Sequence, residues 1–243
     1  MAPSYALSAW FFTRALSVIY FVAFVSLAVQ ASGLWSSKGI LPIRGYLQAV
    51  EKQIGSQAEA VWQLPTVFWL DSTDQSIQTA AMIGATCAAL AFIGFAQGWM
   101  LLVCFGLYLS FVTAGQEFMS FQWDALLIEV GFVALFAVAW NFKLQFLHAL
   151  EPHWSARYMF YIVLFKLMFL SGVVKLISGD ETWRDLSALS YHYWTQPLPN
   201  PLAPFMHSLP LFVHQASTVM TFIIELGAPF LMFWPRARVW AGD

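Results

Sequence analysis

Tyr158–Ile177 reads YMFYIVLFKLMFLSGVVKLI, twenty residues that are apolar at nearly every position and broken by two lysines, Lys166 and Lys175. A bilayer hydrocarbon core about 30 Å thick is crossed by about 20 helical residues. The stretch therefore reads as a spanning helix, and the bilayer becomes the solvent in which the chain is interpreted. Composition agrees: of 243 residues, 60% are hydrophobic, 18% aromatic and only 10% charged, where soluble domains carry roughly a quarter charged residues. The net charge of −2 comes without a basic excess or Lys/Arg runs. Nucleic acid, whose phosphates demand such runs, is excluded as a partner.

Working outward, Ala15–Ala31, Thr79–Ala96, Trp99–Ala114, Ala125–Trp140 and Leu211–Trp234 also qualify, or nearly so, as spans. The fold class expected is an all-α polytopic membrane protein, a bundle of about six transmembrane helices in a single domain. Five to six is the range, because the second and third spans share only Gln97-Gly98 as a turn and could form a tight hairpin. Arg14 precedes an apolar run to Val29 with no A-x-A site after it, which reads as an uncleaved helix rather than a signal peptide.

Two long connections, 32–78 and 178–210, fall on one side. Short connections rich in Lys and Arg stay cytoplasmic. Arg14, Lys143, Arg157, Arg236 and Arg238 mark one side, nearly free of acids. The long-loop side carries Lys38, Arg44, Lys52 and Arg184 among eight acids, so both long loops are expected outside. Within the first, Gly39–Ile54 sets Ile43, Tyr46, Leu47, Val50 and Ile54 at helical spacing, the mark of a short amphipathic helix.

Ionisable residues inside spans are costly and functional by default. Here they are Glu129, Lys166, Lys175 and Glu225, with Asp124 at a boundary. At a rise of about 1.5 Å per residue, Glu129 lies roughly 7 Å deep, level with Lys175, while Glu225, about 21 Å down, is level with Lys166. Two charge layers are expected: an outer one pairing Lys175 with Glu129 or Asp124, and an inner one pairing Lys166 with Glu225. Either the pairs fix helix register, or the outer layer is a site where desolvation prepares Lys175 for base chemistry.

No zinc-type spacing of histidines occurs, so no metal is expected. Walker loops, G-x-G-x-x-G and G-x-S-x-G are absent. Cys87 and Cys104 sit in apolar runs as small hydrophobes. Intramembrane charges alone hint at a transporter, but inverted-repeat symmetry and broken helices are missing.

The second long loop contains GDETWRDLSALSYHYWTQPLPNP, Gly179–Pro201. Trp183, Leu186, Leu189, Ser190 and Tyr193 recur at near-helical intervals, with Thr182 as a candidate N-cap and Asp185 three residues on. Pro197, Pro199 and Pro201 then force an extended strap. The run Tyr191–Trp194 is either an interfacial aromatic belt or a client-binding surface, since exposed Trp and Tyr dominate binding hot spots.

Three segments carry a resemblance: FQWDALLIEVGF (Phe121–Phe132), GVVKLISGDETWRDLSALSYHYWTQPLPNPL (Gly172–Leu202) and IELGAPF (Ile224–Phe230), with GILP (Gly39–Pro42) a weaker fourth. Together they resemble the signature segments of the lipase maturation factors. The resemblance implies a multi-pass, chaperone-like protein of the endoplasmic reticulum membrane, or of the plasma membrane in a bacterium. Such a protein assists exported lipases to fold and assemble into active form, needs no cofactor, and is more a maturation factor than an enzyme. It implies that the chain is the N-terminal part of a longer architecture. It also points to Trp183, Arg184, Asp185, Tyr191, His192, Tyr193, Gln196, Pro197, Pro199, Asn200 and Pro201 as client-binding or structural signature residues. More distantly, the G-x-x-K-L segment is similar to the membrane domain of vitamin K-dependent carboxylases. On that alternative, Lys175 is a base acting on a lipid-soluble, quinone-like cofactor, with Glu129 and Asp124 beside it.

Overall fold

Helix α1, Ala6–Leu34, begins at Ala6 rather than at Ala15, so Arg14, counted above among the flanking charges, sits inside it and is buried. The guanidinium explains how. Nη1 donates to the carbonyl of Ala91 at 3.1 Å, and Nη2 donates to those of Gln145 and Phe146 at 3.0 and 3.1 Å. The rings of Trp10 and Phe146 lie 5.5 and 5.7 Å away. A cation in an apolar layer is held here by carbonyls and ring faces, among them a carbonyl near the negative end of a helix. Lysine offers a point charge in place of this planar fork. Arg14→Lys is accordingly expected to lower stability by about 2 kcal/mol, as measured by unfolding in mixed micelles. An unchanged midpoint would mean that the carbonyls do not need the fork.

The computed structural model describes residues 5–146, 150–196 and 200–234. Among them the chain is helical apart from turns, loops and an isolated bridge between Phe95 and Leu144. It divides into two compact units, Met1–Arg157 and Tyr158–Asp243.

In the first unit α1 is followed by α2 (Ile43–Ile54), α3 (Gln57–Gln63), α4 (Asp74–Ile93), α5 (Gln97–Ala114) and α6 (Gln122–Ala134). The buried positions of α4 are Ile77, Ala80, Ala81, Gly84, Ala88 and Ala91, a mostly small-residue stripe that lets α1 approach closely. Around it stands an aromatic core. Tyr20 and Phe24 from α1 meet Tyr108 edge-on at 5.9 and 5.7 Å, and Phe111 meets Phe68 at 5.1 Å. Edge-to-face packing suits the ring quadrupoles and fixes each ring's tilt.

The amphipathic helix expected over Gly39–Ile54 starts at Ile43, because the residues before it do another job. Amides of Ile40, Leu41 and Ile43 donate to the carbonyls of Gly33, Leu34 and Trp35, satisfying the open end of α1. Once begun, α2 buries or half-buries Ile43, Tyr46, Leu47, Val50 and Ile54 and exposes Arg44, Glu51 and Lys52, as its periodicity requires.

Among the described residues five helices are long and apolar enough to cross a membrane: Ala6–Leu34, Asp74–Ile93, Gln97–Ala114, Trp154–Ile177 and Leu211–Leu231. The expected fourth span, Ala125–Trp140, is the one that falls short. Helix α6 has 13 residues, about 20 Å, and its chain then leaves the helix. Gly98 donates to the carbonyl of Ala139 at 3.2 Å, and Trp140 and Phe142 pack on Trp99 at 5.1 and 5.7 Å. The apolar residues of 135–142 thus fold back on the start of α5. Between α4 and α5, by contrast, a turn at 94–96 separates two long helices, and Gln97-Gly98, expected as that turn, already begin α5.

Exposed carboxylates organise the loop ends. Asp71 accepts from the hydroxyl of Ser76, Asp74 from the amide and hydroxyl of Ser37 at 2.6 and 2.7 Å, and Asp185 from those of Ser187 at 2.8 and 2.5 Å. The serine hydroxyls are the chief reason that the Asp71 and Asp185 carboxyls lie below the usual aspartate range. A depressed folded-state pKa gives stability that is present above the unfolded value of about 3.9 and is lost as pH falls through the folded value. Asp185→Asn should therefore melt below the parent at about pH 6, with the gap closing toward about pH 2. A gap that widened on acidification would contradict this assignment.

In the second unit α7 (Trp154–Ile177, its first residues in the first unit) and α11 (Leu211–Phe222) run antiparallel. Phe165 meets Phe230 and Phe233 at 5.2 and 5.4 Å, and Phe169 meets Phe230 at 5.6 Å. Between the two helices lie α8 (Glu181–Arg184), α9 (Ala188–Thr195) and α10 (Ala203–His207). The single helix expected from Trp183 to Tyr193 is broken at Leu186, which has φ +66°. Asp180, rather than Thr182, caps α8 by accepting from the Thr182 amide at 2.9 Å.

Candidate functional site

Gly172, Lys175 and Trp183, from one signature segment, converge with Glu225 from another. Lys175 stands in the last turn of α7. Its Nζ donates to both carboxylate oxygens of Glu225 at 2.8 Å and to the carbonyl of Ser171 at 3.2 Å. Those three acceptors match the three donors of an ammonium. The Trp183 ring lies 5.4 Å from the same nitrogen, a cation–π distance.

The backbone at Glu225 is unusual. Ile223–Gly227 forms a π-helical turn between α11 and α12 (Ala228–Leu231). Pro229, four residues beyond Glu225, has no N–H for the Glu225 carbonyl, and in a regular α-helix its ring would strike that carbonyl. The wider turn is the usual relief, and such turns recur at functional sites. Glycine completes the fit. A Cβ on Gly172 would stand 2.5 Å from a Leu226 methyl and 3.2 Å from Glu225 Cβ, so only glycine lets the two helices meet at this level.

This pairing corrects both expected layers. Glu225 takes Lys175, not Lys166, and Lys175 takes Glu225, not Glu129 or Asp124. The depth estimate failed because it assumed that α7 and α11 begin and end at one surface. Instead the chain between them lies along α11 from His214 to Phe222. Trp183 packs on Phe222 at 6.0 Å, Leu186 O accepts from Thr218 at 3.4 Å, and Tyr193 meets His214 at 5.8 Å. That offset slides Glu225 up to Lys175. Lys166 lies nine residues back on α7, about 13 Å along the axis, one residue beyond Phe165, which packs on Phe233.

The other expected residues have distinct settings. Asp124 is buried and accepts from the Tyr108 hydroxyl at 2.5 Å, a partner from α5 that no sequence spacing singled out. Glu129 is half-buried on α6. Around α9, Tyr193 faces the buried His214, whereas Tyr191 and Trp194 are 60% and 64% exposed. Arg184, Asp185 and His192 are exposed and Gln196 is half-buried. Asn200 accepts from the Leu202 amide at 2.9 Å, and Pro201 is exposed beside it. Pro197 and Pro199 lie outside the described residues.

These segments have counterparts elsewhere. Residues 7–242 match the family described as lipase maturation factor transmembrane domain. Lipase maturation factor 2 of Xenopus laevis is 39% identical over 94% of this chain and 33% of its own length. The human factor 2 is 36% identical over 94% of this chain and 34% of its own length. Human lipase maturation factor 1 is 32% identical over 92% of this chain and 40% of its own length. The chain thus spans between a third and two fifths of the length of these relatives. No solved structure matches it. With five membrane-length apolar helices and a match to that transmembrane domain over nearly its whole length, the chain is an integral membrane protein and belongs to the lipase maturation factor family.

Proposed function

We propose that the chain is the membrane part of a maturation factor that helps an exported lipase fold and assemble into active form. Its place would be the endoplasmic reticulum membrane in a eukaryote, or the plasma membrane in a bacterium. The observation that carries this reading is the division of labour within the signature segment. Trp183, Leu186 and Tyr193 are spent on packing against α11, and that packing holds Tyr191 and Trp194 outward as rigid aromatic side chains, the type that dominates binding hot spots. On this reading Lys175 and Glu225 are the post that fixes the support, with all three amine donors already engaged.

The test is co-expression with a secreted lipase in a host lacking its own factor, reading active lipase per secreted lipase at matched membrane levels of each variant. Tyr191→Ala with Trp194→Ala should lower the yield about tenfold. The charge swap Lys175→Glu with Glu225→Lys keeps a pair and should keep most of the yield. A swap that abolishes yield while the aromatic variant works normally would replace maturation by chemistry at the lysine. If neither variant changed the yield, the reading would be wrong for this chain.

A further inference from the structure

A cavity of about 430 Å³ opens in the first unit between α1 and the segment leading into α6. It is lined along α1 from Ile19 to Leu34, about 22 Å of helix, more than one leaflet's share of the hydrocarbon core. Its walls are mostly apolar. Two pairs of polar residues break that pattern: Asp124 with its partner Tyr108, and Ser26 with Gln30.

Asp124 is 5% exposed. One carboxylate oxygen accepts from Tyr108, and among the described residues no side chain is seen to donate to the other, which stays open to a donor in the cavity. A carboxylate oxygen on the wall of a mostly apolar cavity favours an occupant that brings a hydrogen-bond donor. Gln30 donates to Ser26 Oγ at 2.7 Å, which leaves its own carbonyl oxygen free to accept and the serine hydroxyl free to donate. Among the described residues the lining holds no Lys, Arg or His. An anionic head, a fatty acid or a phosphate, would meet a carboxylate there with no counter-charge. Hydroxyl groups both donate and accept, and match all three sites.

We infer that this cavity binds a neutral single-chain amphiphile, one acyl chain lying along α1 and a hydroxyl-bearing head donating to Asp124. The volume, at the lower end of the roughly 300–1,000 Å³ of ligand pockets, suits one chain.

The test uses the purified chain in phosphatidylcholine nanodiscs with a photoactivatable monoacylglycerol as probe. Labelling is expected on peptides containing Ile19–Leu34 or Phe118–Leu127. Unlabelled monoolein should compete, while oleic acid and oleylamine at the same concentration should not. Asp124→Asn, which can still accept from Tyr108 but turns a donor toward the cavity, should weaken labelling about tenfold. Ala23→Phe, on a half-buried wall position, should abolish labelling without moving the melting temperature. Labelling elsewhere, labelling indifferent to both variants, or equal competition by oleic acid or oleylamine would each overturn the inference. The competition arms need only the parent protein, so a variant that misfolds leaves them decisive.

Discussion

Replacing Glu225 by glutamine is expected to destabilise the second unit by about 3 kcal/mol, and replacing Lys175 by methionine to do about the same. Each change strands one charge in a site closed by Ser171, Gly172, Leu226 and the Trp183 ring, where the two side chains are only 21% and 17% exposed. Removing both charges, as Lys175→Met with Glu225→Leu, removes both desolvation penalties, so most of the lost stability should return. Unfolding midpoints of the singles and the double, in a micelle or bicelle that reports the aromatic contacts of α7 and α11, form a double-mutant cycle. Singles that matched the parent would show that the pair is solvated and contributes nothing to helix register. A double no better than its worse single would show that the ion pair itself, rather than its unpaired remnants, carries the stability.

A second large effect is expected at Gly84. A Cβ there would stand 2.4 Å from the ring carbons of Phe24. That ring has nowhere to go, being fully buried and packed against Tyr20, Tyr108 and Phe111. Gly84→Leu should cost about 3 kcal/mol by overpacking, and Phe24→Ala about 4 kcal/mol by leaving a cavity. The combination should cost clearly less than their sum, because the leucine fills what the ring vacates. Strict additivity would mean that α1 and α4 separate on mutation instead of repacking.

Both effects sit at places where sequence patterns were silent or misleading. The amphipathic face of α2 was readable, because Ile43, Leu47 and Ile54 report burial on one element through its own period. The termination of α6 was not. Leu135–Trp140 is as apolar as a span, and hydropathy counts composition without seeing that Gly98 and Trp99 bind that segment away from the helix axis. Arg14 likewise resembled a flanking charge until its three carbonyl partners, distant in sequence, were brought to it.

The sequence by itself determined the solvent, the helical class and the family, because these follow from sums and local runs: apolar residues in membrane-length stretches, and signature segments legible one at a time. It also identified Lys175, Glu225, Asp124 and Glu129 as the charges needing partners. Which charge meets which was fixed only by the packed helices. Pairing depends on the relative slide of two helices, and that slide was set by the chain between them: Trp183, Leu186 and Tyr193 pack along α11 from Phe222 back to His214 and carry Glu225 to the level of Lys175.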